Sequence, residues 1–133
     1  MLLDCLVEYL NNIETAIKNL EGAYVERYEE EILTPKRVSL RIRVRFPSGH
    51  MLEISEAILG HSDANTITHL GYRYHLQDRK NNLVFRYDNT PHYPDIPSFP
   101  HHKHLPNKVV GVEQPSVREV IEEAANISEA FKQ

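Results

Sequence analysis

The sequence is poor in cysteine and lacks any long apolar run, and each shortage excludes a class of protein. A single cysteine among 133 residues, Cys5, excludes an intramolecular disulfide and favours a reducing compartment. No segment approaches the roughly 20 apolar residues of a membrane-spanning helix, so we expect no membrane association. The first ten residues, MLLDCLVEYL, contain Asp4 and Glu8 and lack a basic start, which is not typical of a signal peptide.

Motifs that hold phosphates, metals or cofactors are also missing. The sequence has no glycine-rich phosphate loop, no Cys-x-x-Cys or His-Glu-x-x-His, and no paired carboxylates of the kind nucleotidyl-transferring enzymes use. The formal charge of −4 identifies no partner by itself, although five basic and no acidic residues lie between Lys36 and Arg45. We therefore expect no cofactor.

Apolar periodicity predicts a single α+β domain over residues 1–133. Apolar residues recur every three or four positions from Leu2 to Leu20, as on one face of a helix, and Gly22 follows as a stop. A second helix is predicted from Ser116, which has capping-box spacing to Glu119. We expect both helices to pack on one face of an antiparallel sheet of about five strands.

Alternation of apolar and polar residues predicts the first strands. The clearest runs from Val38 to Phe46, where arginines alternate with apolar residues, and the acidic segment Tyr24 to Leu33 is the strand before it. A turn at Pro47-Ser48-Gly49-His50 is expected to pair Phe46 with Leu52 and, in the same register, Arg45 with Glu53.

A second hairpin joins GYRYHLQD to NLVFRYDN through a turn at residues 79–82. Pairing Asp78 with Leu83 places Leu76 opposite Phe85, and it gives the two strands one apolar, aromatic face. The opposite face then carries a polar set: Arg73, His75, Arg86 and Asp88.

A long loop rich in proline and histidine, residues 89–114, lies between this hairpin and the second helix. Its first part, residues 89–104, which we call the strap, contains four histidines. Loops of this length are uncommon unless they are functional or disordered, and the prolines favour an ordered one. We therefore ask whether the strap folds back over the polar set.

Histidines and arginines on one face suit metal-independent cleavage of an RNA phosphodiester, because imidazole transfers protons near neutral pH and guanidinium binds phosphate through two hydrogen bonds. The alternative for His75 is a structural strand histidine, and the alternative for Arg73 with Asp88 is an ordinary cross-strand ion pair. The predicted catalytic residues are His75, Arg73, Arg86, Asp88, His101, His102 and His104, with Lys103 and His92 as substrate-binding residues.

Arg41, Arg43 and Arg45 form a basic stripe on one face of the predicted strand and are further candidates to bind an RNA backbone. Glu29 and Glu31 in the preceding strand have the spacing to neutralise this stripe, so a salt-bridged surface is the alternative.

The run His101-His102-Lys103-His104 contains good ligands for zinc or nickel. Adjacent residues of an extended segment point in opposite directions, however, and Lys103 disfavours a nearby cation. We predict no metal site.

The motifs YRYH, FRYDN-x-PH and FPHHKH, followed by PSVREVIEEA, resemble the TumE-like toxin family of prokaryotic toxin-antitoxin modules. The resemblance covers roughly residues 40–124 and implies a small cytoplasmic toxin that a helix-turn-helix antitoxin binds and silences. It maps the family pattern onto Tyr72, Tyr74, His75, Arg86, Asp88, Asn89, His92, Phe99, Pro100, His101, His102, Lys103 and His104.

Together these observations predict a toxin that acts on RNA as a metal-independent endoribonuclease. His75 and one strap histidine would form the acid-base pair, and Asp88 would orient a histidine or arginine. A non-catalytic module that binds protein or RNA is the alternative. Homodimerisation through the edge strand Tyr24 to Leu33 is left open, since its acidic residues oppose the pairing of two copies.

Overall fold

The structure is a computed structural model that describes residues 1–131, and it consists of two helices and one antiparallel sheet. The seven strands are hydrogen-bonded in chain order, β1 to β7. The α+β class is confirmed, whereas the prediction of about five strands is wrong. The elements are α1 (Asp4–Lys18), β1 (Tyr24–Thr34), β2 (Arg37–Arg45), β3 (Met51–His61), β4 (Thr66–Gln77), β5 (Leu83–Asp88), β6 (His102–Leu105), β7 (Lys108–Gly111) and α2 (Val117–Ala130).

The two unpredicted strands, β6 and β7, lie within residues 89–114, which the sequence predicts to be irregular. Each has only four residues, too few for alternation to be recognised, and they are joined by a turn at Pro106 and Asn107. The strand β6 exists because β5 offers it an edge to pair with, placing His102 opposite Asp88 and His104 opposite Arg86. The residues of the strap before β6 contain no helix or strand.

The hairpin β2–β3 differs from its predicted register by two residues. Val44 lies opposite Leu52 and Arg43 opposite Glu53. The turn is tighter than predicted, because the Phe46 N–H donates to the His50 carbonyl at 2.9 Å and Gly49 adopts a φ of +91°. A shift of two residues leaves every side chain on its predicted face.

The hairpin β4–β5 has its predicted register over most of its length. Leu76 lies opposite Phe85, and the three pairs before it also match the prediction. The end of the hairpin differs, since an irregularity after Leu76 pairs Leu83 with Gln77 rather than with Asp78. The Asp78 carboxylate instead caps the turn, where it accepts hydrogen bonds from the backbone N–H groups of residues 80 and 82.

Both helices contribute to a buried cluster with one face of the sheet, which we call the core face. From α1, the Tyr9 hydroxyl donates to Glu56 of β3; from α2, Glu123 accepts hydrogen bonds from Tyr87 of β5 and Lys103 of β6. Neither helix is long and apolar enough to cross a membrane. The core face consists mainly of Val38, Leu40, Ile42, Val44, Leu52, Ile54, Ile58, Tyr72, Tyr74, Leu76 and Phe85.

The start of α2 is confirmed together with its cap. The Ser116 hydroxyl accepts a hydrogen bond from the Glu119 N–H at 3.1 Å, and the Glu119 carboxylate accepts one from the Ser116 N–H at 3.2 Å. This reciprocal pair satisfies two backbone donors that would otherwise lack partners in the first turn. The helix therefore begins immediately after the long loop, and its cap at Ser116 fixes where that loop ends.

Candidate active site

Strands β4, β5 and β6 bring histidines and charged residues together in two rows on the side of the sheet opposite the core face. One row runs across the strands from His75 through Arg86 to His104; the other runs from Arg73 through Asp88 to His102. Neighbouring strands lie about 4.8 Å apart, so each row spans about 10 Å, close enough to meet one substrate. We call this surface the polar face; it consists of Arg73, His75, Arg86, Asp88, His102 and His104.

Asp88 is the most connected residue of the polar face, and it is buried. Its Oδ1 lies 2.8 Å from His102 Nε2, and its Oδ2 lies 3.2 Å from Arg86 Nε and 3.6 Å from His104 Nε2. The backbone N–H of Thr90 also donates to Oδ1 at 3.0 Å, which fixes the carboxylate at the end of β5. A buried carboxylate with this many partners is stabilised in one orientation.

His102 and His104 lie side by side on β6, with their Nε2 atoms 3.1 Å apart. The Nδ1 of the fully buried His102 lies 2.9 Å from the Pro100 carbonyl oxygen, and a carbonyl can only accept a hydrogen bond. The ring of Tyr93 packs edge-on against both imidazoles, with centroids 5.0 Å from His102 and 6.0 Å from His104. The strap thus returns to the polar face at Tyr93.

His75 is half-buried on β4, beside the two arginines of the polar face. Burial lowers its pKa below the ordinary value of 6.5, and the neighbouring charges of Arg73 and Arg86 lower it further. Its Nδ1 is buried without a hydrogen-bond partner among the described residues. His75 is therefore mainly neutral at pH 7, the form that accepts a proton.

Three predicted site residues lie elsewhere. Lys103 alternates with His102 and His104 and so projects to the core face, where its Nζ lies 2.8 Å from the Glu123 carboxylate. His101 precedes β6; its ring stacks on Tyr72 and its Nδ1 lies 2.9 Å from the Tyr72 hydroxyl. His92 is exposed beside Tyr93. Lys103, His101 and His92 thus lie outside the polar face, and Lys103 does so because successive residues of β6 face opposite sides of the sheet.

The basic stripe on β2 is largely paired with carboxylates. Arg43 NH2 lies 3.4 Å from Glu53 and Arg45 Nε lies 3.2 Å from Glu26. The sequence named Glu29 and Glu31 for this role, yet the Glu29 carboxylate lies 3.4 Å from Arg27 instead.

Arg41 is the exposed member of the stripe, and the register aligns it with the polar face. It lies opposite Ser55 of β3, which in turn lies opposite Arg73 of β4. Because Ser55 is small and uncharged, Arg41 and Arg73 continue one row of positive charge across the sheet.

The ligand atoms of Asp88, His102 and His104, which we call the Asp88 cluster, lie within 4.8 Å of one another. The sequence argument against a metal site was that adjacent residues of the run 101–104 point in opposite directions. His102 and His104 are alternate residues of one strand, so both project to the same face, and the cross-strand pair with Asp88 adds a carboxylate. The argument from adjacent histidines therefore does not apply to the set formed by Asp88, His102 and His104.

A second buried polar cluster was missed by the sequence analysis. Glu56 is only 2% exposed on the core face, where it accepts hydrogen bonds from Tyr9 and Tyr74 and lies 2.9 Å from His69 Nε2. Burial, with the Glu56 charge as the next cause, raises the pKa of both tyrosines. The signal for this cluster was present, because Glu56 occupies an apolar position in the alternation of β3.

A groove of about 900 Å³ lies away from the polar face. It runs between α1 and the start of α2, and its lining includes Tyr9, Ile13 and Ile121, with His69 of the Glu56 cluster at its margin. The groove and the converging histidine, arginine and aspartate side chains thus lie in different parts of the molecule. The polar face is the better candidate active site, since it holds the converging titratable groups.

Fold and site together define a small α+β protein that presents a cationic, histidine-containing face on an antiparallel sheet. The chain belongs to the TumE toxin family, because the family model described as Toxin TumE matches residues 13–131 of the sequence. This range includes every strand and both rows of the polar face. No curated protein and no solved structure gives a significant match to the chain.

Proposed function

We propose that this TumE-family toxin is an endoribonuclease whose polar face binds and cleaves single-stranded RNA. The observation that carries the proposal is the juxtaposition, on three adjacent strands, of the neutral His75, the cations Arg73 and Arg86, and the Asp88 cluster. Cleavage of an RNA phosphodiester needs a proton acceptor, a proton donor and positive charge around the phosphate, and this face contains all three kinds of group.

In this proposal Arg86 is the centre of the site. It is half-buried between His75 on one side and His104 on the other, so a phosphate bound to its guanidinium lies between two imidazoles. His75 accepts the proton of the 2'-hydroxyl as that oxygen attacks phosphorus. As the 2'-oxygen–phosphorus bond forms, the bond from phosphorus to the 5'-oxygen breaks, and that leaving oxygen takes a proton from the Asp88 cluster, whose most exposed histidine is His104.

Arg73 and Arg41 extend the binding surface along the second row. Their alignment across β2, β3 and β4 gives the backbone of an RNA strand two further cationic contacts. Since Arg43 and Arg45 are paired with carboxylates, we assign RNA contacts to Arg41 alone within the basic stripe.

The partner that silences the toxin is proposed to be a helix-turn-helix antitoxin, and the compartment is proposed to be the cytoplasm. Both proposals rest on membership of the TumE toxin family. A neighbouring reading frame that encodes a helix-turn-helix protein would support the first.

Cleavage is tested with a defined single-stranded RNA, incubated with the purified chain in EDTA and, separately, with Mg²⁺, Mn²⁺ or Zn²⁺. We expect cleavage that leaves a 2',3'-cyclic phosphate, and no cleavage where a 2'-deoxynucleotide replaces the reacting ribose. Replacing the proton acceptor, His75→Gln, should reduce the rate by a factor on the order of 10² to 10⁴. The matched control is His61→Gln, a substitution at the far end of β3.

RNA that stays intact in every one of these conditions would refute the ribonuclease. RNA that is bound but not cut, with graded losses of affinity in Arg73→Ala and Arg86→Ala, would instead favour a non-catalytic binding module.

A further inference from the structure

We infer that the Asp88 cluster is a binding site for a divalent transition-metal ion, with zinc as the best match to its ligands. His102 Nε2 lies 2.8 Å from Asp88 Oδ1 and 3.1 Å from His104 Nε2, and His104 Nε2 lies 3.6 Å from the other carboxylate oxygen, Oδ2. An ion bound at about 2.0–2.1 Å in tetrahedral geometry holds its nitrogen and oxygen ligands about 3.3–3.4 Å apart. The three distances bracket that value.

The hydrogen-bond partners of His102 support a cation at this point. Because the Pro100 carbonyl can only accept, His102 Nδ1 carries the hydrogen, and in the neutral ring Nε2 is then a lone pair. That lone pair faces the Asp88 carboxylate at 2.8 Å and His104 Nε2 at 3.1 Å. In the Nδ1–H tautomer of His104, Nε2 of that ring also carries a lone pair, so three acceptors are directed at one point, and a cation between them removes their mutual repulsion.

A proton on one imidazole gives a hydrogen-bond donor to only part of this set of three groups, whereas a metal ion binds all three. One hydrogen on Nε2 of His102 can be directed mainly at Asp88 or at His104. A metal ion accepts a lone pair from each of the three groups at once. The bond from Nδ1–H to a backbone carbonyl is also the usual support of a metal-binding histidine, since it fixes the ring and its tautomer.

The identity of the ion follows from the ligands and the surrounding charge. Two imidazoles favour zinc and its first-row neighbours over Mg²⁺ and Ca²⁺, which prefer oxygen ligands. Arg86 Nε lies 3.2 Å from Asp88 Oδ2, so this arginine orients the carboxylate and also adds positive charge beside the site. Arg73, on the neighbouring strand, lies opposite Asp88. These cations weaken metal binding in the free protein, so a phosphate bound beside the ion should strengthen it.

His104 is the most exposed of the three ligands, so it marks the side of the site nearest the surface on which RNA is proposed to bind. With three protein ligands, a tetrahedral ion keeps one position for water or a phosphate oxygen, where it can act as a Lewis acid. This role rests on the proposed function, whereas binding of the ion does not. His104 would then act as a ligand, and the ion would supply the positive charge on the leaving-group side of Arg86.

Metal binding is measured by isothermal titration of the EDTA-treated, dialysed full chain with ZnCl2, and with MgCl2 as the comparison. We expect one Zn²⁺ per chain and much weaker binding of Mg²⁺. Removing one ligand, as in His104→Gln or Asp88→Asn, should weaken Zn²⁺ binding by at least about 10-fold to 100-fold. His61→Gln and His92→Gln, which replace histidines outside the cluster, should bind Zn²⁺ as the unmodified chain does.

Co²⁺ provides a readout that does not depend on affinity, because its visible absorption reports the ligands around it. The unmodified chain should give the bands of a four-coordinate site, and His104→Gln should lose them while its far-ultraviolet circular dichroism stays unchanged. His104 is the preferred position for this test because it is partly exposed, whereas His102 is fully buried.

The inference is overturned if the unmodified chain binds no Zn²⁺, if folded His104→Gln and Asp88→Asn bind it unchanged, or if His92→Gln weakens binding as much as they do. The last result would mean that surface histidines capture the ion. The outcome is separable from that of the RNA assay: one bound Zn²⁺ with intact RNA would uphold the metal site and refute the ribonuclease.

Discussion

Gly111 and Ile96 are in such close contact that a Cβ added to the glycine would lie 2.5 Å from Ile96 Cγ2. Gly111 is the residue of β7 opposite His102, and Ile96 belongs to the strap. The close approach of the strap to β7 at this point requires a residue without a side chain. The contact links the conformation of the strap to the geometry of the Asp88 cluster.

Gly111→Ala should destabilise the protein by about 1–3 kcal/mol, because either the strap or β7 must move to admit the methyl group. The matched control is Gly71→Ala, since an added Cβ there meets nothing within 4 Å. Urea denaturation of the two variants measures the difference. Equal stability of the two would show that the strap is not held at this contact.

Lys103→Ala should reduce the free energy of unfolding by about 1–2 kcal/mol and leave RNA binding unchanged, because its ammonium pairs with Glu123 on the core face. The lysine also lies over the Tyr87 ring, 4.7 Å from its centroid. Denaturant unfolding and an RNA-binding titration are compared on the same variant. A loss of RNA affinity without a loss of stability would argue against the position that the structure gives this residue.

Tyr74→Phe should cost about 1–3 kcal/mol of stability, since it removes one hydrogen bond from the buried Glu56 carboxylate. Glu56→Leu should cost more than Glu56→Gln, because leucine removes the acceptor of the buried Tyr74 hydroxyl and one of the two partners of the Tyr9 hydroxyl. As a control, Glu53→Gln changes a carboxylate of the same strand that is 42% exposed, and it should change stability little. Chemical denaturation at pH 7 measures all four; equal losses at positions 53 and 56 would contradict the prediction.

Stability should fall on acidification, in part through His75. Its folded-state pKa is lowered below 6.5, chiefly by burial, so the unfolded chain takes up the proton first as the pH falls. The stabilising contribution of the neutral ring is therefore complete above about pH 6.5 and is lost as the pH falls through the folded-state value. His75→Gln should reduce the slope of unfolding free energy against pH in this range; a variant that kept the slope would exclude His75 as its source.

The sequence predicted the parts of the fold that rest on local patterns. The helix start at Ser116 follows from its cap, and the pairing of His75 with Arg86 follows from alternation in two strands. Alternation fixes which face a side chain occupies, so the two-residue error in β2–β3 changed no face.

The errors concern features set by contacts distant in sequence. The strand β6 has four residues and is stabilised by the edge of β5, so its own composition, dominated by histidine and lysine, gives little sign of it. Once β6 is a strand, Lys103 must leave the polar face and His102 and His104 must share it. One undetected element therefore accounts both for the misplaced lysine and for the missed metal-ligand geometry.

The consecutive pairing of the strands, β1 to β7, has a consequence for how the polar face can vary. All six of its residues lie between Arg73 and His104, on three strands that are neighbours both in the chain and in the sheet. The face is thus one contiguous module, completed when the strap brings β6 back to β5. A change in the length of the strap would alter the cover that Tyr93 gives His102 and His104, while the strands β4 and β5 do not depend on the strap for their pairing. The strap is thus the segment in which the cover of the polar face can change while the order of the strands stays the same.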